Sequence, residues 1–295
     1  MSLSATTVDF LRQELSARLN RPIPAVRAEP VSGGSINHTY RLSTGGQDSF
    51  FLKCNDALRY PDLFEKEKNG LQHVAAQDCI AVPSVIFCGI QGQHQLLVLE
   101  WIEPGRTNPA FWQRFGEQLA RLHRCTSGQF GYGEDNYMGA LPQLNSPSAG
   151  WTEFFVRCRL EPQVRLAVDK KLLAHTTTRS FEQLYARLDN RFTTEPPALL
   201  HGDLWSGNFL CSEQSEPVLA DPAIYYGHRS MDLAMTTLFG GFDNIFYEAY
   251  HYHFPLPPDH REQWMLCNLY PLLIHLNLFG TGYLPDILAT LKKFV

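Results

Sequence analysis

The sequence has no long uninterrupted apolar run. Its most hydrophobic stretch, "LYPLLIHLNLFG" from residue 269, is broken by Pro271, His275 and Asn277 and falls short of the roughly 20 apolar residues a membrane-spanning helix needs. No membrane partner is expected. A block of like charge is also missing: 25 basic residues stand against 30 acidic ones, net −5, without the clustered Lys and Arg of a nucleic-acid surface. Nucleic acid is therefore not expected as a partner either. The 7 cysteines are odd in number and scattered, with no C-x-x-C pair, which argues against a disulfide framework or a zinc site. The opening "MSLSATTVDFLRQEL" lacks the basic region and apolar core of a signal peptide, and Val8, Leu11, Leu15 and Leu19 are instead spaced as an amphipathic helix. Repeats and low-complexity tracts are absent. Together these absences predict a globular cytoplasmic protein, and 295 residues suffice for one large core or two unequal lobes.

What is present changes character along the chain. "AVRAEPVSGGSINHTYRLSTGGQDSFFLKCN" reads as strand, Gly-rich turn, strand, Gly-containing hairpin and strand, ending with Lys53. Asp62 is placed to cap a helix over "LFEKEKNGLQHVAAQ", and "VPSVIFCGI" and "HQLLVLEWI" read as two further strands. From residue 106 helices dominate, beginning with "NPAFWQRFGEQLARLH", where Asn108 is the cap and Pro109 a first-turn residue. Further helical patterns run over about 151–173, 180–192 with a Ser180/Gln183 capping box, 230–239 and 261–279. The expected fold is α+β with two lobes: residues 1–102 as an antiparallel sheet with one inserted helix, residues 103–295 mostly helical.

The polar interruption in "LLHGDLWSGNFL", residues 199–210, sits between leucine-rich flanks where unpaired polar groups would be costly. Asp203 and Asn208 are five apart, and Asp221 follows the apolar run "VLA". Phosphoryl transfer needs one carboxylate to accept the proton of a hydroxyl, with an amide and a second carboxylate to hold Mg²⁺ on the phosphates. An H-x-D-x-x-x-x-N loop followed by an Asp after a strand is that set. The other parts lie on fitting elements. Ser32, Gly33, Gly34 and Ser35 form a turn whose backbone amides can approach phosphate. Lys53 is on the strand that should carry the phosphate lysine, and Glu67 is on the following helix. Taken singly, the turn, the lysine and Glu67 have ordinary readings as hairpin, snorkelling strand residue and solvated helix face. Their joint order does not.

The chain resembles the fructosamine kinase (ketosamine-3-kinase) family of the protein-kinase-like superfamily. The resemblance runs through "SGGSINHTYRL", "VLEWIE", "FGYGEDNYMGALPQLN", "WTEFFVRCRLEPQVRLA", "LLHGDLWSGN", "DPAIYYGHRSMDLAMTTLFGGF" and "LLIHLNLFG". It implies ATP- and Mg²⁺-dependent phosphorylation of the sugar 3-hydroxyl of ketosamines, on small molecules or glycated proteins, and an unstable product that leads to deglycation. It further implies that Asp203 is the base, that Asn208 and Asp221 are metal ligands, and that Lys53 and Glu67 form the phosphate-orienting pair. Glu100 and Ile102 would offer backbone groups to adenine, and Asp232 would brace the catalytic loop. The family pattern has an acidic residue where this chain has Ser230, and Ser230 is expected to cap the helix it begins.

Trp205, two residues after Asp203, has an indole face suited to the C–H side of a sugar, against the alternative that it packs inward. His275 and Asn277 are expected to line the acceptor side by the same resemblance, with a satisfied buried pair as the ordinary alternative. Trp101, Trp112, Trp151 and Trp264 are expected to pack in cores or lobe contacts. Two rival functions remain: a kinase for another small alcohol, such as an aminoglycoside or choline, and a nucleotide-binding regulator without turnover.

Overall fold

A computed structural model describes residues 3–31, 36–46 and 48–295. Contacts divide it into two compact units, one of residues up to Arg106 together with Leu210–Asp221, the other of Thr107–Phe209 and Pro222–Val295.

In the first unit Ser4 caps α1 (Ala5–Arg18), its hydroxyl accepting from the Thr7 amide at 3.1 Å. Five antiparallel strands follow: β1 (Arg27–Pro30), β2 (His38–Ser43), β3 (Ser49–Asp56), β4 (Val85–Gln91) and β5 (His94–Glu100), in spatial order β1-β2-β3-β5-β4. The hairpin between β2 and β3 turns through Gly45 at φ +77°, a conformation glycine adopts without steric cost. The period of two decides where each side chain of β3 goes. Phe50, Leu52 and Cys54 enter the core with Leu11 and Leu15 of α1. Lys53, between them in sequence, faces the opposite side and meets α2 (Leu63–Ala75). Asp62 does occupy the position before α2, but in the left-handed region at φ +56° and without a capping bond. The segment 210–221 joins this unit through Gly105 N to Cys211 O at 2.8 Å and Leu219 N to Ala81 O at 2.9 Å. The first unit thus includes residues that lie far beyond the expected boundary at 102.

In the second unit α3 (Pro109–Leu122) begins as expected, with Asn108 Oδ1 accepting from Phe111 N at 2.9 Å and Phe111, Phe115, Leu119 and Leu122 buried. A hairpin of β6 (Asn136–Met138) and β7 (Leu141–Gln143) follows. Residues 151–169 form one helical run in three parts: α4 (Trp151–Phe154), a π-helical turn (Phe155–Leu160) and α5 (Glu161–Asp169). Next come α6 (His175–Tyr185) and a pair of strands, β8 (Ala198–Leu200) and β11 (Tyr225–Gly227); between these two in sequence, β9 (Phe209–Cys211) and β10 (Pro217–Leu219) pair with each other, β10 lying in the segment that belongs to the first unit. The chain ends with α7 (Ser230–Leu238), α8 (Asn244–His253), α9 (His260–Cys267), α10 (Leu269–Phe279) and α11 (Leu284–Phe294). The core gathers Trp151, Phe154, Phe155, Tyr225 and the apolar face of α10.

Three helix expectations change. The helix expected over 180–192 begins at His175 and ends at Tyr185, which leaves Ser180 and Gln183 inside it and removes the capping box. The helix expected over 261–279 divides at Asn268, because Pro271 has no N–H to continue the ladder. Ser230 does not cap α7. Its hydroxyl is buried and donates to Gln263 Oε1 at 3.1 Å, while His228 Nδ1 receives the Ser230 amide at 3.3 Å. Among the described residues no helix is long and apolar enough to cross a membrane.

Candidate active site

Lys53 is the buried centre of a charge cluster in the first unit. As a central-strand residue covered by α2 it is only 2% exposed. Its Nζ lies 2.7 Å from Glu67 Oε1 and 2.6 Å from Asp221 Oδ1. Burial works to lower the lysine pKa, but Asp221 and then Glu67 outweigh it and hold the ammonium above its ordinary value. Burial likewise pushes the Glu67 carboxyl up, with Lys53 pulling against it and Asp221 adding to the push. Asp221 holds its place at φ +55°, a left-handed conformation that Asp tolerates better than most residues. One cation faces two carboxylates here.

The turn at Ser32–Ser35 lies outside the described residues. Before it the Val31 amide donates to Thr39 O at 3.1 Å, and after it the Asn37 side chain accepts from Asn55 Nδ2 through Oδ1 at 2.8 Å. At the end of β5 the Glu100 amide donates to Ser84 O at 2.9 Å and its carboxylate accepts from the Ser84 hydroxyl at 2.9 Å. The Ile102 amide has no intramolecular partner among the described residues.

In the second unit the loop 201–208 is held mainly through its backbone. Asp232, in the first turn of α7 and 1% exposed, accepts from His201 N at 2.7 Å and from Gly202 N at 2.9 Å, one with each oxygen. His123 Nε2 approaches the same carboxylate at 3.1 Å, and its Nδ1 lies 2.8 Å from the Tyr250 hydroxyl. An ionised carboxylate can only accept, so Nε2 carries the proton, and in the neutral ring Nδ1 accepts from Tyr250. Burial alone would raise the Asp232 pKa, but His123 and the amide bonds hold it below its usual value.

On that base the reactive groups are placed by short-range bonds. Asn208 Nδ2 donates to Asp203 O and to Asp203 Oδ2, both at 2.9 Å. This turns Asn208 Oδ1 away from Asp203, and that oxygen has no partner among the described residues. Trp205 lies over Gly207, where a Cβ would sit 2.4 Å from the indole, and stays 37% exposed.

The model of the fructosamine kinase family matches residues 8–295. A Synechocystis sp. protein named a probable ketoamine kinase is 41% identical, covering 96% of this chain and 95% of its own. The chloroplastic protein-ribulosamine 3-kinase of Arabidopsis thaliana is 34% identical over 90% of this chain and 81% of its own. A crystal structure from Thermobifida fusca bearing the name fructosamine-3-kinase superposes with a TM-score of 0.86 at 33% identity, covering 97% of this chain and 98% of that one. The chain belongs to the fructosamine kinase family.

As a fructosamine kinase it is an ATP-dependent phosphotransferase acting on a hydroxyl, with the protein-kinase-like fold. Lys53, Glu67 and Asp221 are brought together in the first unit, and Asp203 and Asn208 in the second. Trp205 and His275 are linked through an unanticipated residue, Phe239, with ring centroids 5.9 Å and 4.8 Å away. His275 Nδ1 donates to Pro271 O at 2.7 Å, and burial lowers its pKa, which leaves a neutral ring with Nε2 as an acceptor. Asn277 points elsewhere. It is 4% exposed, and its Nδ2 donates to the backbone and side-chain oxygens of Gln163, each at 3.0 Å. Asn277 is thus buried as in the ordinary alternative but only partly satisfied, since its Oδ1 has no hydrogen-bond partner among the described residues. His123 and Tyr250 carried no signal in the sequence, since neither stands in a recognisable motif.

Proposed function

We propose that this fructosamine kinase transfers the γ-phosphate of ATP to the sugar 3-hydroxyl of a ketosamine, such as fructosyl- or ribulosyl-lysine, and so initiates deglycation in the cytoplasm. The observation that carries this reading is the family match over residues 8–295. The names of the relatives support the acceptor class, and the odd number of scattered cysteines, with no C-x-x-C pair, fits a reducing compartment. Residues 1–102, joined by the segment 210–221, would form the nucleotide lobe, and the rest of 103–295 the acceptor lobe.

Asp203 would orient the acceptor hydroxyl and take its proton, with Asn208 fixing the carboxylate through its amide. Trp205 and Phe239 offer partly exposed aromatic faces to the sugar, and His275 Nε2 can accept from a hydroxyl. Lys53, fixed by Glu67, would hold the phosphates, and Glu100 and Ile102 would meet adenine through their backbone. The donors present fit Mg²⁺. Asn208 Oδ1 is an unpaired hard oxygen, and the Lys53–Glu67–Asp221 cluster carries one negative charge in excess. Bound Mg²⁺ would neutralise phosphate charge through Asn208 and Asp221. ATP consumption against fructosyl-lysine, ribulosyl-lysine, kanamycin and choline tests the reading. Turnover of the first two supports it, and turnover confined to kanamycin or choline overturns it in favour of another small-alcohol kinase.

A further inference from the structure

Arg159 is fully buried, and no carboxylate is paired with it among the described residues. It lies in the π-helical turn Phe155–Leu160, a local widening of the helix that is frequent at functional sites. Its Nη1 donates to Leu144 O and to Cys158 O, its Nη2 donates to Asn145 Oδ1 at 2.8 Å, and its guanidinium carbon stands 3.8 Å from the centre of the Tyr225 ring. A buried cation without a counter-charge is a burden on stability that a well-packed apolar side chain would avoid. Folding alone gives no reason for an arginine here.

From Asn145 a run of buried amides leads to the catalytic loop. Asn145 Nδ2 donates to Asn136 Oδ1 at 3.1 Å, and Gln143 Nε2 donates to the same oxygen at 2.8 Å and to Ala223 O at 2.9 Å. Asn136 Nδ2 donates to Ile224 O at 2.9 Å, and the Tyr270 hydroxyl donates to Gln143 Oε1 at 2.9 Å. Because Asn136 Oδ1 takes two donors, no amide in the run can turn over without setting like groups face to face. The run ends at the loop. Ala223 N donates to His201 O at 2.8 Å, and Gly202, at φ +85°, packs so closely that a Cβ there would lie 2.0 Å from Ala223 O. The His201–Asp203 backbone is thus fixed on one side by Asp232 and on the other through Ala223. Among the charges acting on the buried Tyr270 hydroxyl, after burial itself, are Arg159 and Asp203.

We propose that Arg159, Asn145, Asn136 and Gln143 are positioning residues for phosphoryl transfer, setting through Ala223 where the Asp203 carboxylate stands. The inference rests on the reading of Asp203 as the base. Gln143→Met tests it, removing both donors while keeping the bulk of the side chain. With fructosyl-lysine, kcat should fall about 10- to 100-fold, the size expected when a reacting group is misplaced by about 1 Å. KM for the acceptor and the dissociation constant for an ATP analogue should stay within about threefold, because ground-state binding is not what the run supports. Hydrogen exchange should quicken in the peptide 199–210 and not in 109–122. A lowered melting temperature with kcat and exchange at 199–210 unchanged overturns the proposal in favour of a merely structural role. Should Gln143→Met fail to fold, Tyr270→Phe deletes only the hydroxyl bound to Gln143 Oε1. A fall in kcat of about three- to tenfold is then expected, and an unchanged kcat overturns the proposal. An inactive parent whose 199–210 peptide still loosens in Gln143→Met counts against the ketosamine assignment alone. Unaltered exchange counts against the positioning role whatever the parent does.

Discussion

The two units hold their functional residues by different physics. In the first, Lys53, Glu67 and Asp221 hold one another, charge against charge, with the lysine and Glu67 buried. In the second, the loop around Asp203 is held largely by backbone amides on a carboxylate, Asp232, whose side-chain partner is His123, itself bonded to Tyr250. Where functional groups neutralise each other, deleting one leaves another buried and uncompensated, so function and stability fall together. Where a separate carboxylate carries the loop, the catalytic group can be changed without disturbing its support. The difference gives each region its own signature under mutation.

The largest expected effect is on chemistry alone. Asp203→Asn should lower kcat by about 10²- to 10⁴-fold, the range of general-base contributions, with the melting temperature within a few degrees of the parent by calorimetry. A collapse in stability would erase the contrast with the first unit. Lys53→Met should lose nucleotide binding and also destabilise the protein by about 3–5 kcal/mol, because Glu67 is left buried without its partner. Urea unfolding reads that loss. Trp205→Ala should lower kcat/KM for a ketosamine roughly 10- to 150-fold, from about 1 to 3 kcal/mol of lost contact, with slow acceptor-free ATP hydrolysis unchanged. Equal losses in both reactions would make Trp205 a structural residue. The smallest effect concerns pH. Asp232 has a folded pKa below its ordinary value, so its contribution to stability is fully present above the unfolded carboxylate value of about 4 and is lost as pH falls through the folded value. Asp232→Asn should therefore start less stable and show a flatter acid limb in unfolding titrations.

The same contrast explains what could be read from the sequence. Lys53, Asp203, Asn208 and Asp221 each stand in a local signal, a strand pattern or a short loop motif, and alternation along β3 already separates Lys53 from Phe50, Leu52 and Cys54. His123, Tyr250 and Gln143 act on partners 80 to 127 residues away in sequence, and no local pattern marks such pairings. An amide in an apolar helix, such as Asn277, reads alike whether it faces a substrate or, as here, Gln163 of α5. The helix α8, "NIFYEAYHYH", went unread because its aromatic and His residues have weak helix propensity. Only burial of Phe246 and Tyr250 reveals its inner face. Ser180 and Gln183 imitate a capping box inside α6 because Phe181 and Leu184 keep the helical period across it.

Calorimetric titration of a non-hydrolysable Mg-ATP analogue into Asp203→Asn and Asp221→Ala, side by side, tests most directly the claim that one region holds the nucleotide and the other performs the transfer. Asp221→Ala leaves Lys53 paired with Glu67, so the loss it reports is that of a metal-binding oxygen and its charge. Asp203→Asn is predicted to bind the analogue as the parent does while its ketosamine kcat falls about 10²- to 10⁴-fold, and Asp221→Ala to lose Mg-dependent binding. Loss of binding in both variants, or its retention in both, would contradict the division.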